Sequence, residues 1–109
     1  MSWKEDVVLE MTRAREAQQQ GNGGKVRTAA RRSVGIALAE LMRRFPEPTY
    51  GRDYVAQLRS LAMDERVPQA ARDAAMRLQA RITHEFKSES VNPIEDAEII
   101  LKYVLSRLE

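Results

Sequence analysis

Five stretches of this chain carry apolar residues every three or four positions, and short breakers separate them. That spacing is typical of helices with one buried face, and no alternating strand pattern occurs. The breakers include three glycines within residues 21–24 and the prolines Pro46 and Pro48. Glycine supplies left-handed backbone that ends a helix, and proline disfavours helical geometry in the residue before it. The pattern therefore predicts an all-α fold.

The breakers and capping residues also predict where each helix begins and ends. Ser2 followed by Glu5 forms a capping box, Thr49 is a candidate cap for a third helix, and Asn92-Pro93 is a strong start signal for the last. The expected helices span residues 2–20, 24–45, 50–63, 67–84 and 93–108. The second helix has a broad apolar stripe and a slim, alanine-rich middle, which predicts a central position. Short connections favour antiparallel neighbours, so we expect one domain over residues 1–109, an up-and-down bundle of about five helices.

Composition excludes several classes of protein. The chain has no cysteine, which removes disulfides, thiolate zinc sites and cysteine nucleophiles. The apolar runs are too short to span a bilayer, and charged residues 4–6 fall where a signal peptide needs an apolar stretch. The acidic pairs Asp64-Glu65 and Glu95-Asp96 lack the histidine that helical di-metal sites require. We therefore expect a cytoplasmic protein with no membrane contact, metal or cofactor.

Charge is distributed unevenly along the chain. Residues 23–45 hold six basic residues against one acidic residue, whereas acidic residues predominate after residue 84. Lys25, Arg27, Arg31 and Arg32 follow the glycine-rich turn, so they are candidates for binding an anion such as RNA phosphate. The segment lacks the preceding strand and the Gly-Lys-Ser/Thr motif of a nucleotide P-loop. The alternative interpretation is a solvated helix face whose charges are balanced by neighbouring helices.

The order of these segments resembles that of a known superfamily. The segments are the helix of residues 24–41 after its glycine-rich turn, Tyr54-Val-Ala-Gln-Leu58, Val67-Pro68, Arg81-Ile-Thr-His84-Glu-Phe86 and the closing Asn92-Pro-Ile-Glu-Asp-Ala97. In order and length they resemble a HEPN-like domain, a helical bundle common in prokaryotic defence and toxin–antitoxin proteins. The resemblance covers nearly the whole chain and implies a homodimer.

The resemblance also implies two possible functions. Active members are metal-independent ribonucleases that carry an Arg and, after four to six intervening residues, a His, in a cleft formed by dimerisation. Arg77 and His84 have six residues between them, although Leu78 stands where those members have a polar residue. An imidazole could move a proton near neutral pH and a guanidinium could stabilise phosphate charge. Many other members lack the pair and act as binding modules.

Three hypotheses follow from the sequence. The leading one is a non-catalytic HEPN-like binding module, homodimeric, with a protein partner or an anionic ligand such as RNA. The second is a metal-independent endoribonuclease using Arg77 and His84. The third is a helical interaction bundle unrelated to that superfamily.

Overall fold

The computed structural model describes residues 2–45, 51, 53–79 and 92–109, and every regular element within them is an α-helix. The five helices are α1 (Trp3–Gln19), α2 (Gly23–Arg44), α3 (Tyr54–Met63), α4 (Gln69–Gln79) and α5 (Pro93–Leu108). The all-α prediction is confirmed, and the bounds of α1, α2 and α5 agree with the sequence to within one residue. The expected extension of α4 to residue 84 lies outside the described residues. No described helix is long and apolar enough to cross a membrane.

Side-chain caps fix three of the helix starts. Ser2 Oγ accepts a hydrogen bond from Glu5 N at 3.2 Å, as the capping box predicts. Asn92 Oδ1 accepts from Glu95 N at 3.1 Å, and Pro93 occupies the first turn of α5. Between α1 and α2, Gly21 adopts a positive φ of 71°, and Asn22 Oδ1 then accepts from Lys25 N. These bonds satisfy amides that a helix start leaves without an intrahelical partner.

The predicted start of the third helix was wrong. The sequence placed it at residue 50 with Thr49 as the cap, but α3 begins at Tyr54, where Asp53 Oδ1 accepts from Ala56 N at 2.8 Å. Gly51 has a φ of 96°, which right-handed helical geometry does not allow. Thr49 and Tyr50 themselves lie outside the described residues.

α2 occupies the centre of the fold and packs against all four other helices. Its residues Ala30, Val34 and Leu38 are completely buried, which confirms the predicted core face. The small residues in the middle of α2 allow a close contact with α3, because the Tyr54 ring of α3 lies directly over Gly35. Around α2, each of the other helices contributes a buried stripe to one continuous core that includes Ala14, Leu58, Leu61, Ala75, Leu78, Ile100 and Val104.

The helix directions differ from a simple up-and-down order. Arg27 near the start of α2 shares a small groove with Pro93 at the start of α5. At the other end, Arg44 Nη1 donates to the Leu108 carbonyl oxygen at 3.2 Å. The two helices therefore run in the same direction, whereas strict alternation would make them antiparallel. At about 1.5 Å per residue, α3 spans only about half the length of α2, so α3 does not return the chain along the whole of α2.

Candidate functional site

The four candidate cations of α2 fall on two different faces. Lys25 and Arg32 are seven positions apart, which places them on one side of the helix two turns from each other. Both are exposed and line a groove between α1 and α2. Arg27 and Arg31 are one turn apart on another face and are partly buried. The sequence analysis treats all four as one candidate group, and the helix geometry separates Lys25 and Arg32 from Arg27 and Arg31.

The groove between α1 and α2 has a volume of about 570 Å³. It has an alanine floor of Ala17 and Ala29, and its polar lining residues are Glu10, Arg13, Glu16, Gln20, Lys25, Thr28 and Arg32. We call it the α1–α2 groove. Within the described part of the chain, neither Lys25 nor Arg32 has an ion-pair partner. Their charges therefore face the groove and solvent without a direct ion pair among the described residues, and the carboxylates of Glu10 and Glu16 line the same groove.

Glu10 is a buried carboxylate in the wall of this groove, with only 8% of the residue exposed. Its Oε1 accepts a hydrogen bond from Arg13 Nη1 at 2.7 Å. Its Oε2 is buried and has no hydrogen-bond partner among the described residues. Because a buried polar atom without a partner is costly, this oxygen is an unusual feature of the fold. The sequence gave no sign of it, since Glu10 is one of several glutamates on α1.

Arg31, on the other face of α2, forms a hydrogen bond with α4. Its Nε donates to the Leu78 carbonyl oxygen at 2.7 Å, within the last turn of α4. This bond links α2 to α4. Burial lowers the pKa of Arg31, and the nearby Arg27 charge lowers it further. Arg31 therefore contributes to packing as well as to local positive charge.

Arg27 lies beside Arg31 where the starts of α2 and α5 meet. It lines a small groove of about 270 Å³ together with Asn22, Gly23 and Pro93. Its Nε is buried, and no hydrogen-bond partner for it lies within the described part of the chain. The two guanidinium groups repel each other, as the lowered pKa of Arg31 indicates. This face of α2 is positive but less accessible than the α1–α2 groove.

Arg77, a candidate for catalysis, forms an ion pair with α5. Its Nε and Nη2 donate to Asp96 Oδ1 at 3.1 and 2.8 Å. The Asp96 side chain is only 7% exposed, while that of Arg77 is 41% exposed. The hydrogen bond to Asp96 raises the pKa of Arg77, so its charge is held in place between α4 and α5. His84 lies outside the described residues.

The acidic residues that could be taken for metal ligands have other roles. Asp96 lies in the first turn of α5, as expected of a helix-start acid, and also pairs with Arg77. Asp64 accepts hydrogen bonds from the backbone and side chain of Arg66. Over the described ranges, no group of three or more His, Cys, Asp or Glu residues could hold a metal ion.

Comparison with known proteins gave no relative from which a function could be transferred. No family model, curated protein or solved structure matches the chain. The interpretation of the site therefore rests on its own geometry and charges.

Proposed function

We propose that this chain is a non-catalytic, HEPN-like binding module that binds RNA in a prokaryotic cytoplasm. The observation that carries the proposal is the exposed pair Lys25 and Arg32, which line one groove without ion-pair partners among the described residues. Phosphate groups bind such unneutralised cations and release counterions as they do so. The start of α2 adds the positive end of a helix dipole at the same end of the groove.

The position of Arg77 supports binding over catalysis. A catalytic guanidinium must be available to the phosphate in the transition state. Two N–H groups of Arg77 are instead committed to Asp96, a buried partner inside the same chain. The endoribonuclease hypothesis has a direct test. Loss of a metal-free RNA-cleaving activity in both Arg77→Ala and His84→Ala would establish it and contradict the binding-module proposal.

A homodimer is part of the proposal, and a second groove supports it. This groove, which we call the α1–α5 groove, has a volume of about 600 Å³ and is lined by apolar residues of both helices, namely Val7, Val8, Met11, Leu101 and Leu105. Val8 is 62% exposed. Arg15, Lys102, Glu98 and Glu109 surround the apolar surface. Because both signs of charge border the same patch, two copies can pair with opposite charges in contact.

The RNA-binding proposal is tested by removing the two groove cations. We expect the double variant Lys25→Gln/Arg32→Gln to bind a fluorescent single-stranded RNA more weakly than the wild type. Each phosphate contact contributes about −0.7 to the slope of log affinity against log salt for a single strand. The double variant should therefore flatten that slope by about 1.4, measured by fluorescence anisotropy between roughly 50 and 200 mM salt.

A matched control uses an arginine outside the groove. Arg59 is exposed on α3 and, like Lys25, has no ion pair among the described residues. Arg59→Gln should leave the salt slope unchanged within error. An unaltered slope in the double variant would show that RNA does not bind through the two cations of the α1–α2 groove. The absence of any RNA binding in the wild type would favour the unrelated interaction bundle, with a protein as its partner.

A further inference from the structure

The chain has two asparagines, Asn22 and Asn92, and both cap helices in the same way. Each Oδ1 accepts a hydrogen bond from the backbone N–H three residues later, at 3.1 Å. The next residue differs, because Gly23 follows Asn22 whereas Pro93 follows Asn92. This difference decides which of the two side chains can react with the backbone.

An asparagine loses its side-chain amide when the backbone nitrogen of the next residue attacks its Cγ atom. The backbone N–H gives up its proton, a new C–N bond closes a succinimide ring, and the side-chain amide leaves as ammonia. Water then opens the ring at either carbonyl and produces aspartate or isoaspartate, so the net reaction consumes one water and releases one ammonia. Proline has no N–H, which closes this route to Asn92. Glycine has no side chain to hinder the attack, so the route is open to Asn22.

The Gly23 amide is available for this attack. Gly23 is exposed, and its N–H makes no hydrogen bond to any other described residue. Such an N–H is expected at the first position of a helix, where no intrahelical acceptor exists. A Cβ atom added to Gly23 would meet no atom of the surrounding fold within 4 Å, so the space around the nitrogen is open.

The cap holds the Asn22 side chain in an unreactive position. Asn22 has a ψ of 83°, which in an L-residue turns the Gly23 nitrogen nearly opposite to Cβ about the Cα–C bond. The succinimide ring contains both atoms, so this bond must rotate, and Oδ1 must release Lys25 N, before the ring can close. Helix ends open at little cost in free energy, and three glycines within residues 21–24 make the turn easy to rearrange.

We propose that Asn22 is a deamidation site, which reacts with Gly23 when the first turn of α2 releases its cap. The inference goes beyond RNA binding and does not depend on it. Aspartate at residue 22 can still cap α2, and its charge suits the positive end of the helix dipole. The new carboxylate lines the small groove that also holds Arg27, so it offsets positive charge at the start of α2 as the protein ages.

The experiment incubates the intact protein for days at physiological temperature and mildly alkaline pH, and then digests it with trypsin. Mass spectrometry should find the mass gain of an amide converted to a carboxyl group in the peptide of residues 16–25. The peptide of residues 88–102, which contains Asn92, should show none. In Gly23→Ala most of the gain should be lost, because the added methyl group hinders the attack while the fold leaves room for it. Asn22→Ser keeps a good cap and should show no gain.

The outcomes decide both parts of the proposal. An unmodified peptide 16–25 in the wild type would overturn it. A gain that persists in Asn22→Ser would come from the glutamines of the same peptide, and it would overturn the assignment to Asn22. The restraint by the cap is tested by unfolding the wild type in guanidinium chloride, where peptide 16–25 should be modified faster than in the folded protein. Equal rates in the two states would show that the cap does not restrain the reaction.

Discussion

At the scale of single residues, Glu40 explains how α2 tolerates so many arginines. Its Oε1 and Oε2 accept hydrogen bonds from Arg43 at 2.6 and 3.0 Å, and Oε1 also accepts from Arg44 Nε at 2.9 Å. These bonds lower the pKa of Glu40 from 4.5 to about 2. One carboxylate thus binds both C-terminal arginines of α2 and offsets one of their two charges, while Lys25 and Arg32 make no ion pair among the described residues.

The lowered pKa of Glu40 predicts a dependence of stability on pH. A carboxyl group with a depressed pKa in the folded state stabilises the fold above its unfolded pKa, and loses that contribution as the pH falls through its folded pKa. The wild type should therefore be more stable than Glu40→Gln at pH 6. The difference should shrink below about pH 4.5 and vanish near pH 2. Urea midpoints of both proteins across this range measure it.

Two results would bear on that prediction. Because the Arg43 side chain is 69% exposed, the difference at pH 6 should become smaller in high salt. A constant difference in midpoint from pH 6 to pH 2 would show that the ion pairs of Glu40 do not stabilise the fold.

The sequence predicted which residues of the site are charged, but not which of these side chains form hydrogen bonds or ion pairs with other helices of the fold. Arg31 donates to Leu78, 47 positions away, and Arg77 donates to Asp96, 19 positions away. Periodicity reports the face of a helix on which a residue lies, and it carries no information about the helix that packs there. For the same reason, Lys25 and Arg32 could be named from the sequence, whereas Glu10 could not be placed beside them.

At the scale of the helices, local sequence was a good guide wherever capping and breaking residues are explicit. Ser2, Gly21 and Asn92 mark the ends of α1 and α5 in both the sequence and the structure. The start of α3 was misplaced because Thr49 and Asp53 are both good caps. Asp53 is the cap because Gly51 adopts a positive φ only two residues before it.

The contact between Gly35 and Tyr54 gives a prediction at this scale. A Cβ atom on residue 35 would lie 2.0 Å from Cδ1 of the Tyr54 ring, so the ring or α3 would have to move. Overpacking costs about 1–3 kcal/mol, and alanine regains up to about 1 kcal/mol of helix propensity. Gly35→Ala should therefore destabilise the protein by up to about 2 kcal/mol in urea unfolding.

The control removes the ring. In a Tyr54→Ala background, Gly35→Ala should be neutral or stabilising, because only the propensity gain is left. An equal loss of stability in both backgrounds would mean that Gly35 is required for a reason other than the Tyr54 ring.

At the scale of the whole molecule, burial decides which apolar surface is available to a second copy. The apolar stripe of α5 is largely covered within the chain, where Ile94, Ala97, Ile100 and Val104 are buried. One apolar groove among the described residues lies between α1 and α5 and includes the exposed Val8. This burial follows from how the helices pack, because α5 runs parallel to α2 and its apolar stripe packs against α2.

The predicted homodimer is tested at that groove. We expect light scattering at tens of micromolar to give the wild type twice the 12.4 kDa mass of one chain. Val8→Glu places a charge in the apolar centre of the α1–α5 groove and should shift the protein to the monomer, because burying an unpaired charge in an interface is costly. Met63→Glu is the matched control: Met63 is 72% exposed on α3, away from that groove, and its variant should stay dimeric. A monomeric wild type would contradict the dimer itself. A dimeric Val8→Glu variant would show that the dimer interface lies outside the α1–α5 groove. RNA binding by the monomeric variant would then show whether the α1–α2 groove of one copy is sufficient.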